Sequence, residues 1–152
     1  MKSSHPIEVD VKNSKEIEGI FDSISYAKGA SIIRMLAHTI GFEHFRKIIA
    51  GYLNKFKFKN AETLDLWQCF DEYPDNPIKD VSIQDLMSSW TKKTGYPYIS
   101  ASRSGTKLVL SQSRYMRDMS GSEAMPKDNW IVPLHIVNGK SSMVVFLKEC
   151  KY

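Results

Sequence analysis

Four histidines, His5, His38, His44 and His135, and two cysteines, Cys69 and Cys150, are the residues of the types that most often ligate a metal or act as nucleophiles. No histidine is followed by Glu and a second His in the His-Glu-x-x-His spacing that sets two imidazoles on one helix face. His38 and His44 lie six residues apart, a rotation of about 600° on a helix, so their rings leave from different faces. They also straddle Gly41, which reads as a helix stop. The cysteines are far apart, with no Cys-x-x-Cys, and read as free thiols in a reducing compartment. Cys69, close to Leu66 and Phe70, reads as a buried thiol rather than a nucleophile, because no histidine is placed by sequence to activate it. Tyr26, in Ser25-Tyr26-Ala27-Lys28-Gly29, has two readings. A phenol with a pKa near 10 stays a donor at neutral pH, and a preorganised donor where negative charge develops is worth roughly 3 to 4 kcal/mol. The other reading, commoner on pattern alone, is a core or capping tyrosine at the start of a helix.

Two further patterns invite chemistry and are better read as structure. Lys55-Phe56-Lys57-Phe58-Lys59 interleaves cations with rings, as a surface that stacks on single-stranded nucleic acid would. The favoured reading is a helix end with lysines near the C-terminal dipole and phenylalanines turned inward. Gly29, inside a helical stretch, reads as a place where another backbone approaches closely, and Trp67 and Trp90 read as core.

The elements that must position these residues change character near Gly95-Tyr96-Pro97. Before it apolar residues recur at helical spacing. A helix is predicted over 23–40, with Ile24, Ala27, Ile32, Leu36 and Ile40 on one side and Gly41 at its end. A second is predicted over 42–55, where Phe45, Ile48, Ile49, Tyr52, Leu53 and Phe56 draw an apolar stripe that needs a partner. A third runs over 61–72 with Asn60 as its cap and Leu64, Leu66, Trp67 and Phe70 buried. The fourth starts after Ser82, whose relation to Asp85 resembles a capping box. Beyond the change, strands are predicted over 98–103 and 107–112 about a Ser104-Gly105 turn. Two more, over 130–137 and 142–147, turn through Asn138-Gly139, a strong hairpin signal. The polar stretch 113–129 reads as a mobile loop. Four strands begin a sandwich but leave edges and a face uncovered.

Composition bounds the functions. The 152 residues are 42% hydrophobic, 11% aromatic and 25% charged, a globular balance, and a fold of this size buries roughly 70% of its unfolded surface. The excess of 21 Lys and Arg over 17 Asp and Glu gives +4, too mild and too spread to announce nucleic-acid binding. There is no run of apolar residues long enough for a membrane span and no signal-like start. No Asn-x-Ser/Thr sequon occurs, which leans toward a cytoplasmic protein.

One ordered set of residues goes further. Ser3-Ser4-His5-Pro6-Ile7, Ile20-Phe21-Asp22-Ser23-Ile24-Ser25-Tyr26-Ala27-Lys28-Gly29-Ala30-Ser31, Arg34-Met35-Leu36, Asn60-Ala61, Asp65-Leu66-Trp67, and Trp90-Thr91 with Gly95-Tyr96-Pro97 together resemble the zinc aminopeptidases of the alanyl and puromycin-sensitive type. Ser111-Gln112-Ser113-Arg114 and Trp130-Ile131-Val132-Pro133-Leu134 resemble the opening of that family's β-sandwich domain. The resemblance implies an α+β fragment, with 1–97 the helical second half of a thermolysin-like catalytic domain and 98–152 the beginning of the β-sandwich. It implies Zn²⁺ in the full-length parent, none bound by this chain, because the zinc motif and the amine-gripping Gly-x-Met-Glu-Asn motif lie upstream in the family. It reverses the odds on Tyr26, whose counterpart points its hydroxyl at the oxyanion opposite the zinc. Arg34 is expected to pair with a carboxylate outside this stretch.

The implied function is a share in removing N-terminal residues from peptides, with no activity in the chain alone. Its implied partners are peptide substrates and the remaining parts of the parent enzyme, with no nucleic acid, and self-association through exposed surfaces is expected. The alternative is a non-catalytic protein-interaction module derived from the same family.

Overall fold

Helix starts in this chain are set by side chains that replace missing backbone partners. In the computed structural model, which describes residues 4–116 and 128–149, Asn13 begins α1 (Ser14–Ile20): its Oδ1 accepts from the Lys15 N–H at 3.1 Å, and Glu16 reaches back to the Asn13 amide at 2.7 Å. Sequence periodicity misses this helix because it buries nothing. A π-helical turn, Ile24–Lys28, then runs directly into α2 (Gly29–Ile40). Gly41, at φ +87°, breaks α2 from α3 (Phe42–Phe56). The remaining helices are α4 (Thr63–Asp71) and α5 (Ile83–Thr91). Ser82 Oγ accepts from the Asp85 N–H at 3.0 Å, the capping expected there. Asp71, at the end of α4, adds a second cap by accepting from the Ile83 and Gln84 N–H groups at 2.6 and 3.1 Å.

The strands form two antiparallel hairpins, β1 (Pro97–Ser104) with β2 (Lys107–Arg114) and β3 (Val132–Asn138) with β4 (Ser141–Leu147). Their registers run from Pro97↔Arg114 to Ser104↔Lys107 and from Val132↔Leu147 to Asn138↔Ser141. Gly105 and Gly139 take the positive φ that the tight turns require. The order is the expected α+β one, helices first and strands after. Most of the expected loop, residues 117–127, and Cys150 lie outside the described residues. Among those described, no helix is long and apolar enough to cross a membrane.

Several expectations are corrected. The helix predicted over 23–40 is a π turn joined to an α-helix, and the wider turn breaks the assumed phase, so Ala27 is exposed and Ile24 only half-buried while Ile32, Leu36 and Ile40 are buried. The start of α4 belongs to Glu62, not Asn60: the Glu62 N–H donates to Asp65 at 2.8 Å. Leu64, in the first turn, and Leu53 on α3 are exposed. Phe58 is fully exposed at φ +59°, because the chain leaves α3 in a left-handed turn; only Phe56 of that run folds inward. Among the described residues nothing approaches within 4 Å of a methyl built on Gly29, so they do not make the close approach expected there.

Helices and hairpins share one buried cluster that runs from Ile32, Leu36, Trp67, Phe70, Leu86 and Met87 to Trp90, Trp130, Val132 and Leu147. The Trp90 indole N–H donates to the Ile131 carbonyl at 2.8 Å, and its ring lies 6.5 Å from that of Trp130. Buried Gln112 on β2 clamps the backbone of Trp130: Oε1 accepts from its N–H and Nε2 donates to its carbonyl, both at 2.9 Å. Replacing Gln112 by Leu orphans a buried N–H and a buried carbonyl, and should cost about 2 to 4 kcal/mol in urea unfolding. Trp130→Ala should cost about 3 to 5 kcal/mol in the same measurement through the cavity it leaves. A loss under about 1 kcal/mol in either variant contradicts the shared core.

Candidate functional site

Tyr26 lies within the π turn Ile24–Lys28 and is two-thirds exposed at 66%, its ring resting 6.4 Å from that of Phe21. The core reading of this tyrosine therefore fails on burial. π turns inserted in α-helices are frequent at functional sites. This one is fastened at both ends. At its start the Tyr26 N–H donates to the Asp22 carbonyl at 3.1 Å, and Asp22 Oδ1 accepts from the Ser25 N–H at 2.9 Å. Asp22 so satisfies donors that the first turn of a helix leaves without internal partners. At its end the Gly29 N–H is shared between the Ser25 and Tyr26 carbonyls.

Asp22 is itself held. His5 Nε2 lies 2.9 Å from Asp22 Oδ2, and His5 Nδ1 lies 2.6 Å from the Pro6 carbonyl oxygen. Both partners are acceptors, so the arrangement is complete only when both ring nitrogens carry a hydrogen, as in the imidazolium. The bond to the Pro6 carbonyl, then the one to Asp22, raises the His5 pKa above its ordinary 6.5. The Ser25 N–H, then His5, lowers that of Asp22 below 3.8. His5 contributes stability that is complete below its unfolded pKa and is lost as pH rises through the raised folded one. Asp22 contributes stability present above its unfolded pKa and lost as pH falls through the lowered folded one. The pair is therefore complete across the interval between those two folded values.

Lys28 fastens the turn from the other side. Its Nζ donates to the Lys93 carbonyl, just beyond α5, at 2.6 Å. Burial pushes the Lys28 pKa below its usual value, and the charge of Arg114 acts in the same direction. Two carbonyls further back, the Glu8 N–H donates to Thr91 at 2.9 Å, which docks the segment carrying His5 on the same helix end. Between the turn and α5 opens a largely apolar cleft of about 450 Å³, lined by Ile24, Ala27, Lys28, Trp90 and Tyr96. Tyr26 does not line this cleft; its neighbours in the chain do.

The other candidates stay apart. His38 is exposed, with its ring edge-on to Phe42 at 4.9 Å, and His44 meets Tyr73 at 5.8 Å. His135 is exposed on β3, Arg34 is exposed on α2, and Cys69 is a free, half-buried thiol against the core. Among the described residues, no three His, Cys, Asp or Glu side chains come together to hold a metal ion. Sequence reasoning missed the His5–Asp22 pair and the role of Lys28, whose partners lie 17 and 65 residues away.

The Peptidase family M1 domain matches residues 1–90. Aminopeptidase M1-B of Oryza sativa subsp. japonica is 46% identical over 134 residues, 88% of this chain and 14% of the relative. Aminopeptidase 2, mitochondrial, of Saccharomyces cerevisiae is 45% identical over 157 residues, covering 99% of this chain and 16% of its own length. Tricorn protease-interacting factor F2 of Thermoplasma acidophilum is 43% identical over 147 residues, 95% of this chain and 18% of the relative. The chain thus spans between 14% and 18% of the length of these relatives. With the family domain matched over more than half of its residues, and with the histidine, tyrosine and tryptophan segments of the structure falling in the matched stretch, the chain belongs to peptidase family M1.

Proposed function

We propose that this chain is part of a metallo-aminopeptidase that removes N-terminal residues from peptides, and that Tyr26 donates its hydroxyl hydrogen to the oxyanion that develops as the peptide carbonyl is attacked. The observation that carries the reading is the placement of Tyr26: an exposed phenol on a helical turn fastened through Asp22 and Lys28. A donor held in place before charge develops needs no reorganisation when the reaction occurs. The relatives support the reading as aminopeptidases by name.

Zinc, which the family resemblance implies, would polarise the carbonyl and activate water. Among the described residues no three His, Cys, Asp or Glu side chains come together to fit it, and the proposal assigns its ligands to other parts of the enzyme. The division at residue 97 belongs to the same proposal, with the helical part of the catalytic domain before it and the opening of the β-sandwich after it. Peptide substrates and those other parts of the enzyme are the partners it implies.

In the complete enzyme, Tyr26→Phe should lower kcat for an alanyl-4-nitroanilide by about 100- to 1,000-fold with a small change in KM. The 152-residue chain alone should be inactive and should complement a piece supplying the zinc motif. Full turnover in the phenylalanine variant sinks the role of Tyr26, and silence in the mixture favours a non-catalytic interaction module. The chain alone should also self-associate, because both hairpins have open edges and Phe21, Phe42, Leu53, Phe58 and Met143 are exposed. A strictly monomeric species in sedimentation at high concentration contradicts that.

A further inference from the structure

The segment before α1 does more than lead into the fold. His5 stands at a junction of three pieces: its own segment, docked on α5 through Glu8; the residue that starts the helix carrying Tyr26; and, through that residue, the Ser25 N–H. Its side chain is 24% exposed and that of Asp22 is 35% exposed, so the pair sits at the edge of the protein rather than free in water. Asp22 uses both oxygens, Oδ1 on the turn and Oδ2 on His5. A carboxylate that caps a turn with one oxygen can rotate about its side-chain torsions; tied at the second oxygen it cannot do so without breaking a bond. The imidazolium is fixed in turn by the Pro6 carbonyl on its far side. The result is a continuous line of hydrogen bonds, Pro6 carbonyl to His5 to Asp22 to the Ser25 amide, ending one residue before the phenol.

Resting on the functional reading above, we infer that His5 and Asp22 are positioning residues for Tyr26. Bonded at both ring nitrogens, the histidine holds the carboxylate that holds the turn, and so fixes where the Tyr26 hydroxyl points. Neither side chain touches the substrate in this account. The charged groups that face His5 are Asp22 and, with opposite effect, Lys28. A neutral imidazole has one N–H and would have to release either Pro6 or Asp22. Loss of the proton therefore loosens the line at one of its bonds, and the positioning acquires an alkaline limit.

The test uses the complete enzyme with His5→Ala, Asp22→Asn and Tyr26→Phe. Asp22→Asn keeps an oxygen for the Ser25 amide but offers the ring an N–H, which a neutral imidazole with its Nδ1–H on Pro6 accepts at Nε2, so in this variant the link no longer needs the second proton. His5→Ala should lower kcat by about tenfold or more, as small displacements of a catalytic group do, with KM within twofold, and Asp22→Asn should lower it less. Both should also remove an alkaline limb from the kcat profile of the parent. An independent readout follows the His5 ring by NMR in the unaltered 152-residue chain: its midpoint should lie above 6.5 and fall back in Asp22→Asn. Unchanged kcat in His5→Ala, or a change confined to KM, beside a dead Tyr26→Phe overturns the positioning while sparing the role of Tyr26. A His5 midpoint at or below 6.5 overturns it as well. Full turnover in Tyr26→Phe overturns the functional reading, and the inference falls with it.

Discussion

The carbonyl end of α5 is where the three parts of this chain are joined. A helix leaves its last carbonyls without internal partners and carries a negative partial charge there. The last turn of α5 has no basic residue of its own. Its needs are met from elsewhere: the Glu8 N–H reaches the Thr91 carbonyl, and the Lys28 ammonium reaches the Lys93 carbonyl across 65 residues. On the same helix the Trp90 indole and the Ser89 hydroxyl take the carbonyl and the N–H of Ile131. The N-terminal segment, the π turn and the second hairpin are thereby fixed to one short helix, and the placement of Tyr26 depends on that arrangement.

The same junction explains why the hairpins belong to the fold. A two-stranded hairpin alone is marginal in water. Here β2 is tied by Gln112 to the segment leading into β3, and the tie holds Trp130 against Trp90. Lys93 contributes twice, donating to the Asn129 carbonyl and placing its ammonium 5.9 Å from the centre of the Trp130 ring. The tips of the hairpins stay exposed, with Val137, Met143 and Leu108 unburied.

What could be read from the sequence follows from which signals are local. The helix-period run placed Ile32, Leu36 and Ile40 of α2, and Gly41, Ser82 and Asn138-Gly139 marked element boundaries because each acts through its own backbone or nearest neighbours. α1 was missed for the opposite reason: it buries nothing, and only the Asn13 and Glu16 pair announced it. The π turn could not be foreseen from a pattern that assumes 3.6 residues per turn throughout, and it carries the candidate tyrosine. Tyr26 was singled out through the family resemblance, and its exposure contradicts the core reading of its local pattern. The residues that fasten it were not, because His5, Asp22, Lys28 and Lys93 meet only in three dimensions. The exposure of Phe58 shows the same limit at a surface, where an alternating pattern says nothing about a left-handed turn.

The account stands on α5 fixing the turn that bears Tyr26, and amide hydrogen exchange on the 152-residue chain tests this most directly. Lys28→Met keeps most of the side-chain stem and removes the ammonium that reaches Lys93. The account predicts that the Ser25 and Tyr26 amides, bonded to Asp22, exchange at least about tenfold faster in this variant while α3 keeps its protection. Unchanged protection at those two amides would contradict it.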